Sequence, residues 1–291
     1  MSDSNSNSLV NLGKITKPAE LLIEKISLAT GAIFAPYQTK RMAKAGAHAK
    51  IIDAHAEVEI LDIQQRATHR LQTESLRHQR NIEAIRDGAI PHLGDTSTPN
   101  EIDDDWITDF FEQCRNVSNA EMQELWARIL AGEANAPGSF SRRTISIVRN
   151  LDRYDGAAFS SLCRYMWKIN GNATPLLYSW RCGPTGPEDL GWEVLEHLDA
   201  VGLIRFNTNG YMSEPLPFNC TAEYFGRKLV LFPSDSPHDE EVSSRYGQLN
   251  FDTGYAALTR AGEQLHRVCS AEPIENHYEE VAEHWKSLRF Y

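Results

Sequence analysis

Ser118-Asn-Ala-Glu-Met-Gln-Glu-Leu-Trp-Ala-Arg-Ile-Leu-Ala-Gly-Glu133 decides the fold class. Met122, Leu125, Trp126, Ile129 and Leu130 recur at helical steps, which gathers them on one face of an α-helix. Ser118 followed by Glu121 makes a capping-box start, and Gly132 suits a stop. Upstream, Asp103-Asp-Asp105 precedes Trp106, Phe110 and Cys114, an acidic helix start followed by a stripe that must be buried. Downstream, Pro137-Gly-Ser-Phe-Ser141 is a turn whose Ser139 or Ser141 can cap a helix from Arg142 to Leu151. A further helix is expected from Asp155 to about Ile169. Residues 101–169 therefore read as a helical bundle, set off from what precedes them by the polar linker Gly94–Asn100.

Toward the N-terminus, Gln38 to Ala89 holds no proline, two glycines, and an excess of helix-favouring residues. One helix over 38–91 would run to about 75–80 Å, longer than a compact core needs. Ile51, Ala54, Val58 and Leu61 share one seam; after a phase shift Leu71, Ser75, His78, Ile82, Ile85 and Ala89 continue it. A stuttered coiled coil explains that pattern, as does a helical hairpin broken near Arg66–Thr68. Ile51, Val58, Leu61, Leu71, His78, Ile82 and Ile85 are the candidate seam between copies of the chain. Residues 1–37 form a polar start and an amphipathic helix over 18–29, with Leu21, Leu22, Ile26 and Ala29 on or beside one face. That face suits docking on the rest of the fold, or a membrane surface contacted through residues 9–37.

Toward the C-terminus, residues 188–291 change texture. Leu190–Val201 reads as a helix ended at Gly202, running into a strand at Ile204–Phe206. β-rich runs follow at Arg227–Phe232 and Gln248–Phe251, with an insertion at Asn207–Gly226 and an acidic loop near Asp239–Glu241. Thr259 starts a further helix, and Tyr278–Tyr291 a last one with Val281, Trp285 and Leu288 inward. The order is that of a winged-helix module; a generic α+β cap is the alternative. The expected class is thus mainly α with a smaller α+β part: long N-terminal helix, helical bundle and winged-helix-like C-terminal domain.

Composition limits function. The 291 residues are 41% hydrophobic and carry a formal charge of −11. Residues 1–91 hold 12 Lys and Arg against 10 Asp and Glu, and the remainder 17 against 30, so the excess negative charge sits after Pro91. The helix Leu190–Val201 has Glu193, Glu196 and Asp199 and no Lys or Arg, which disfavours nucleic acid there. No run is apolar enough to span a membrane, and residues 1–8, polar and without a basic stretch before an apolar one, do not read as a signal peptide. Five well-separated cysteines, without a Cys-x-x-C pair, read as reduced cytoplasmic thiols. His55 and Glu59 stand one turn apart, but without a third ligand they read as solvated positions rather than a metal site. No hydrolase elbow, P-loop, dinucleotide or metalloprotease motif is present, so no catalytic residue and no cofactor is expected.

The segment Leu125-Trp-Ala-Arg-Ile-Leu-Ala-Gly-Glu133, followed by Pro137-Gly-Ser-Phe-Ser-Arg-Arg-Thr144, resembles the signature of a bacterial family of unknown function. Residues 74–85 resemble the same family upstream. A more distant similarity is to the abortive-infection alpha proteins of phage defence, through the helix-turn-Pro pattern and the trailing Gly-Leu-Ile and Leu-Thr-x-x-Gly module. The resemblance implies a bacterial anti-phage accessory protein and brings no established catalytic residue or ligand. Within the signature, most residues have packing roles. Ser139, Ser141, Arg142 and Arg143 are the candidate anion site, since guanidinium groups beside helix-start N–H groups hold phosphate. The same arginines could instead pair with Asp103–Asp105 or Glu133 and orient helices. The expectation is a non-enzymatic oligomeric interaction or sensor protein whose partners are itself and another protein. The alternatives are a peripheral effector at the inner membrane and a nucleic-acid-binding winged-helix protein.

Overall fold

The structure, a computed structural model, describes residues 16–30, 54–178, 190–217, 219–231 and 249–287. The chain divides into two compact units, Met1–Arg142 and Arg143–Tyr291, so the stretch 101–169 is distributed over both.

The first unit contains α1 (Lys17–Thr30), α2 (Ala54–Ala89), α3 (Asp104–Cys114) and α4 (Ala120–Asn135). Helix α1 buries Ala19, Leu22 and Ile26 and packs on α3 and the short 3-10 turn Pro99–Glu101. Its Lys25 ammonium reaches the Asp104 carboxylate at 2.5 Å. Helix α2 is 36 residues long, roughly 54 Å by its rise per residue. Its final turns pack on α4, burying Ile82, Ile85 and Ala89. A Cβ at Gly88 would stand 3.0 Å from the Ala127 Cβ, so a small residue is needed for the two helices to close.

Helix starts follow side-chain chemistry. Asp103 accepts the Trp106 N–H at 2.8 Å and caps α3. For α4 the cap is Asn119, which accepts the Met122 N–H at 3.0 Å. Ser118, expected in that role, turns its hydroxyl to buried Asn81 of α2, whose amide also donates to the Arg115 carbonyl at 2.8 Å. Helix α4 also runs through Gly132 to Asn135, because Glu133 and Ala134 are buried and keep the helix on the core. The stretch Gly94–Asn100 is no free linker. Asn135 accepts the Gly94 N–H (2.8 Å) and donates to the His92 carbonyl (3.0 Å), while the Thr98 N–H satisfies the Ala134 carbonyl (3.0 Å). The loop thus supplies donors to the end of α4, whose last carbonyls lack helical partners.

The second unit runs α5 (Arg142–Arg149, starting at the division), α6 (Arg153–Cys163), β1 (Met166–Ile169), β2 (Asn172–Pro175), α7 (Trp192–Val201) and β3 (Ile204–Phe206). It continues through β4 (Met212–Leu216), β5 (Cys220–Tyr224), β6 (Arg227–Leu231), β7 (Leu249–Gly254), β8 (Ala256–Leu258), α8 (Arg260–His266) and α9 (His277–Ser287). Strands order as β2-β1-β5-β6 in one antiparallel sheet, with β3–β8 and β4–β7 as antiparallel pairs. The core joins Trp167, Ile169, Tyr224 and Phe251 to Val281 and Trp285 of α9. The protein is mainly helical with a small antiparallel sheet part.

One expectation is corrected here. The helix expected from Asp155 to Ile169 ends at Cys163, and Met166–Ile169 pairs with Asn172–Pro175. Asn170 and Gly171 have φ of +46° and +91°, the paired positive values that a two-residue hairpin needs and that asparagine and glycine tolerate. The insertion Asn207–Gly226 is itself structured, as β4 and β5. Elsewhere Gly202 ends α7 in the left-handed region, and Thr259 caps α8 by accepting the Gly262 N–H. The acidic loop expected near Asp239–Glu241, and Leu288, lie outside the described residues.

Candidate functional site

The signature Ala131-Gly-Glu133 and Pro137-Gly-Ser-Phe140 meets as one structural device. Glu133 is 2% exposed, and its two carboxylate oxygens accept the N–H groups of Gly138 (2.6 Å) and Phe140 (2.8 Å). The Ser139 N–H is directed at the same carboxylate. Burial raises the Glu133 pKa while the three backbone donors act to lower it. Phe140 then enters the core, and its carbonyl accepts the Trp106 indole N–H at 2.7 Å. An internal carboxylate therefore takes the N–H groups that an external anion would use.

The four anion-site candidates are placed accordingly. Ser139 donates its hydroxyl to the Ala136 carbonyl at 2.5 Å, and Ser141 is half-buried. Arg142 reaches Asp109 of α3 (Nε to Oδ2, 3.4 Å). Arg143 is exposed and begins the second unit. Glu133 was the functional-looking residue that spacing alone misses: its signal was a carboxylate on the buried side of α4, followed five residues on by a glycine turn.

The seam candidates separate into two groups along α2. Ile82 and Ile85 are buried against α4, and His78 is half-buried with its Nε2 2.8 Å from Asn116 Oδ1. Leu61 and Leu71 are each 54% exposed, as are Ile63 at 51% and Leu76 at 60%. Ile51 lies outside the described residues, as do the side chains of Val58, His55 and Glu59.

In the second unit a groove of about 410 Å³ lies between the β1–β2 hairpin, the β5–β6 turn and α8. Met166, Lys168, Glu223, Phe225, His266 and Arg267 line it. Both signs of charge alternate there: Lys168 stands directly across from Glu223, which also pairs with Lys228 at 3.5 Å. Phe225 holds a φ of +43° at the turn. His197 Nε2 of α7 lies 2.5 Å from Asp155 Oδ1, but Asp155 is buried in the capping box of α6, so this contact ties two helices together. Among the described residues no group of three or more His, Cys, Asp or Glu could hold a metal ion. No described helix is long and apolar enough to cross a membrane. Helix α7 exposes Glu193, Glu196 and Asp199.

A family model described as a protein of unknown function (DUF2806) matches residues 65–190, which include the whole segment Ser118–Thr144. No curated protein and no solved structure matches the chain.

Proposed function

We propose that this chain is a non-enzymatic, self-associating interaction or sensor protein in which copies meet along α2. The observation that carries the reading is the exposure of Leu61, Ile63, Leu71 and Leu76 on a helix whose last turns are buried. Ile63, Ala67, Leu71, His78, Ile82, Ile85 and Ala89 recur at steps of three, four or seven, so the face that packs on α4 continues outward. An exposed apolar stripe along a helix that extends beyond its own unit's core calls for a partner helix. Identical helices from further copies meet that need, giving the long, coiled-coil-like N-terminal helix.

The second unit is read as a winged-helix-like surface for another protein. Supporting this are the order α7–β3–β8–α8, the antiparallel pairing of β3 with β8, and the parallel bridge of Leu177 to Gly254. The acidic exposed side of α7 favours a protein partner over nucleic acid. Anti-phage defence in the cytoplasm is the setting we propose, on the resemblance of the signature segment. A peripheral membrane role draws less support, because the apolar residues Leu22 and Ile26 of α1 are buried within the unit.

Sedimentation velocity on the wild-type chain and a Leu71→Glu variant tests the assembly. Wild type should sediment as an oligomer and the variant as a smaller species with unchanged circular dichroism. Equal sedimentation of both removes α2 as the contact. Plaque counts on cells with and without the gene test the setting, and equal counts across a phage panel would remove it.

A further inference from the structure

Folding brings together two cysteines that stand far apart in the sequence. Cys163 closes α6 and is buried, while Cys269 follows α8 and is half-buried. Their thiols are hydrogen-bonded to each other. The Cys269 Sγ also lies 3.6 Å from the Ser160 hydroxyl, one turn earlier on α6. Both sulfurs are held by ordered backbone: the Cys269 N–H donates to the carbonyls of Leu265 (3.1 Å) and His266 (3.2 Å), and Cys163 is the last residue of its helix. The hydrogen bond to Cys269, then burial, push the Cys163 thiol far above its ordinary pKa. Half-buried Cys269 is the sulfur that a solute reaches, with buried Cys163 behind it.

We propose that Cys163 and Cys269 are a peroxide-oxidisable pair that closes into an intramolecular disulfide joining the end of α6 to the end of α8. The oxidant is hydrogen peroxide. The Cys269 thiolate attacks one peroxide oxygen; the S–O bond forms, the O–O bond breaks, and hydroxide leaves and takes up the thiol's proton as water. Cys269 is then a sulfenic acid. The Cys163 sulfur attacks the Cys269 sulfur; the S–S bond forms, the S–O bond breaks, and the departing oxygen takes the Cys163 proton as a second water. Two thiols lose two electrons in all, and one peroxide becomes two waters. The step needs little motion, since the Cys269 sulfur already lies against α6, 3.6 Å from the hydroxyl of Ser160, one turn before Cys163. Cys114 and Cys220 are buried elsewhere in the fold, and Cys182 lies outside the described residues.

The test is peptide mapping of the full chain after hydrogen peroxide, without reduction, beside a Cys269→Ser variant. Trypsin places Cys163 in residues 154–164 and Cys269 in residues 268–286. The two peptides should appear joined, lighter by two hydrogens than their sum, and separate again after dithiothreitol. In Cys269→Ser the joined species should be lost. A Cys163→Ser variant should instead accumulate Cys269 sulfenic acid that dimedone traps, whereas wild type passes through it to the disulfide. Separate peptides with Cys269 carrying two or three oxygens, unmodified peptides, or a cross-link between two chains would each overturn the proposal.

Discussion

Glu133 shows what a single residue does for the first unit. Both of its oxygens are occupied by backbone donors at 2.6 and 2.8 Å, in a position that is 2% exposed. Glu133→Gln replaces one acceptor oxygen with an NH2 group, leaving either Gly138 or Phe140 with a buried N–H facing another donor. The expected cost is about 1–3 kcal/mol of unfolding free energy in urea titration. Phe225 predicts the opposite sign. A bulky side chain at φ +43° is strained, and asparagine tolerates that region far better. Phe225→Asn should therefore stabilise the chain by roughly 0.5–1 kcal/mol, read by the same titration. At this scale the sequence was only partly legible. The periodicity that places Trp126, Ile129 and Leu130 in the core says nothing about which neighbouring side chain bonds the backbone. The capping-box spacing points to Ser118, but Asn81 of α2 takes the Ser118 hydroxyl and Asn119 caps the helix instead.

Among the elements, α2 separates two kinds of apolar residue. Ile85 is buried against α4, so Ile85→Ala should cost about 2–4 kcal/mol of folding stability. Leu71 is 54% exposed within one chain, so Leu71→Ala should leave the folding of a dilute chain nearly unchanged while weakening association. Urea titration and a dilution series read the two effects separately. The existence of α2 could be read from its composition, but its division into buried and exposed lengths could not, because the same apolar spacing continues through both. The β1–β2 hairpin did have a sequence signal in Asn170-Gly171, obscured by the helical pattern running up to it from Asp155. Strands β4 and β5 had weaker signals. They pair with β7 and with β1 and β6, and the β4–β7 and β1–β5 pairings join segments distant in the chain. The Cys163–Cys269 pair is of the same kind: sequence spacing separates the two cysteines, and only the approach of Cys269 to Ser160 at the end of α6 joins them.

For the molecule as a whole, pH reports on the second unit. Burial lowers the pKa of His277 from 6.5 to about 4, and lowers His266 and His284 as well. Each is then neutral in the fold and protonated in the unfolded chain below its ordinary pKa. For His277 the stability contributed is fully present above pH 6.5 and is lost as pH falls toward 4, and His266 and His284 act in the same direction. For His277 alone the loss at pH 5 is about 2 kcal/mol, and His277→Phe should flatten that part of the profile in urea titrations at pH 7 and 5. The charge asymmetry belongs to this scale too. The near-balanced residues 1–91 include the exposed helix face, so the proposed self-association along α2 would meet little net repulsion, while the excess negative charge lies beyond Pro91. Light scattering on the full-length chain, eluted over a concentration series, tests self-association most directly. A mass of two or more times 32.8 kDa, in whole-number steps, is the predicted result, and 32.8 kDa at every concentration would contradict it.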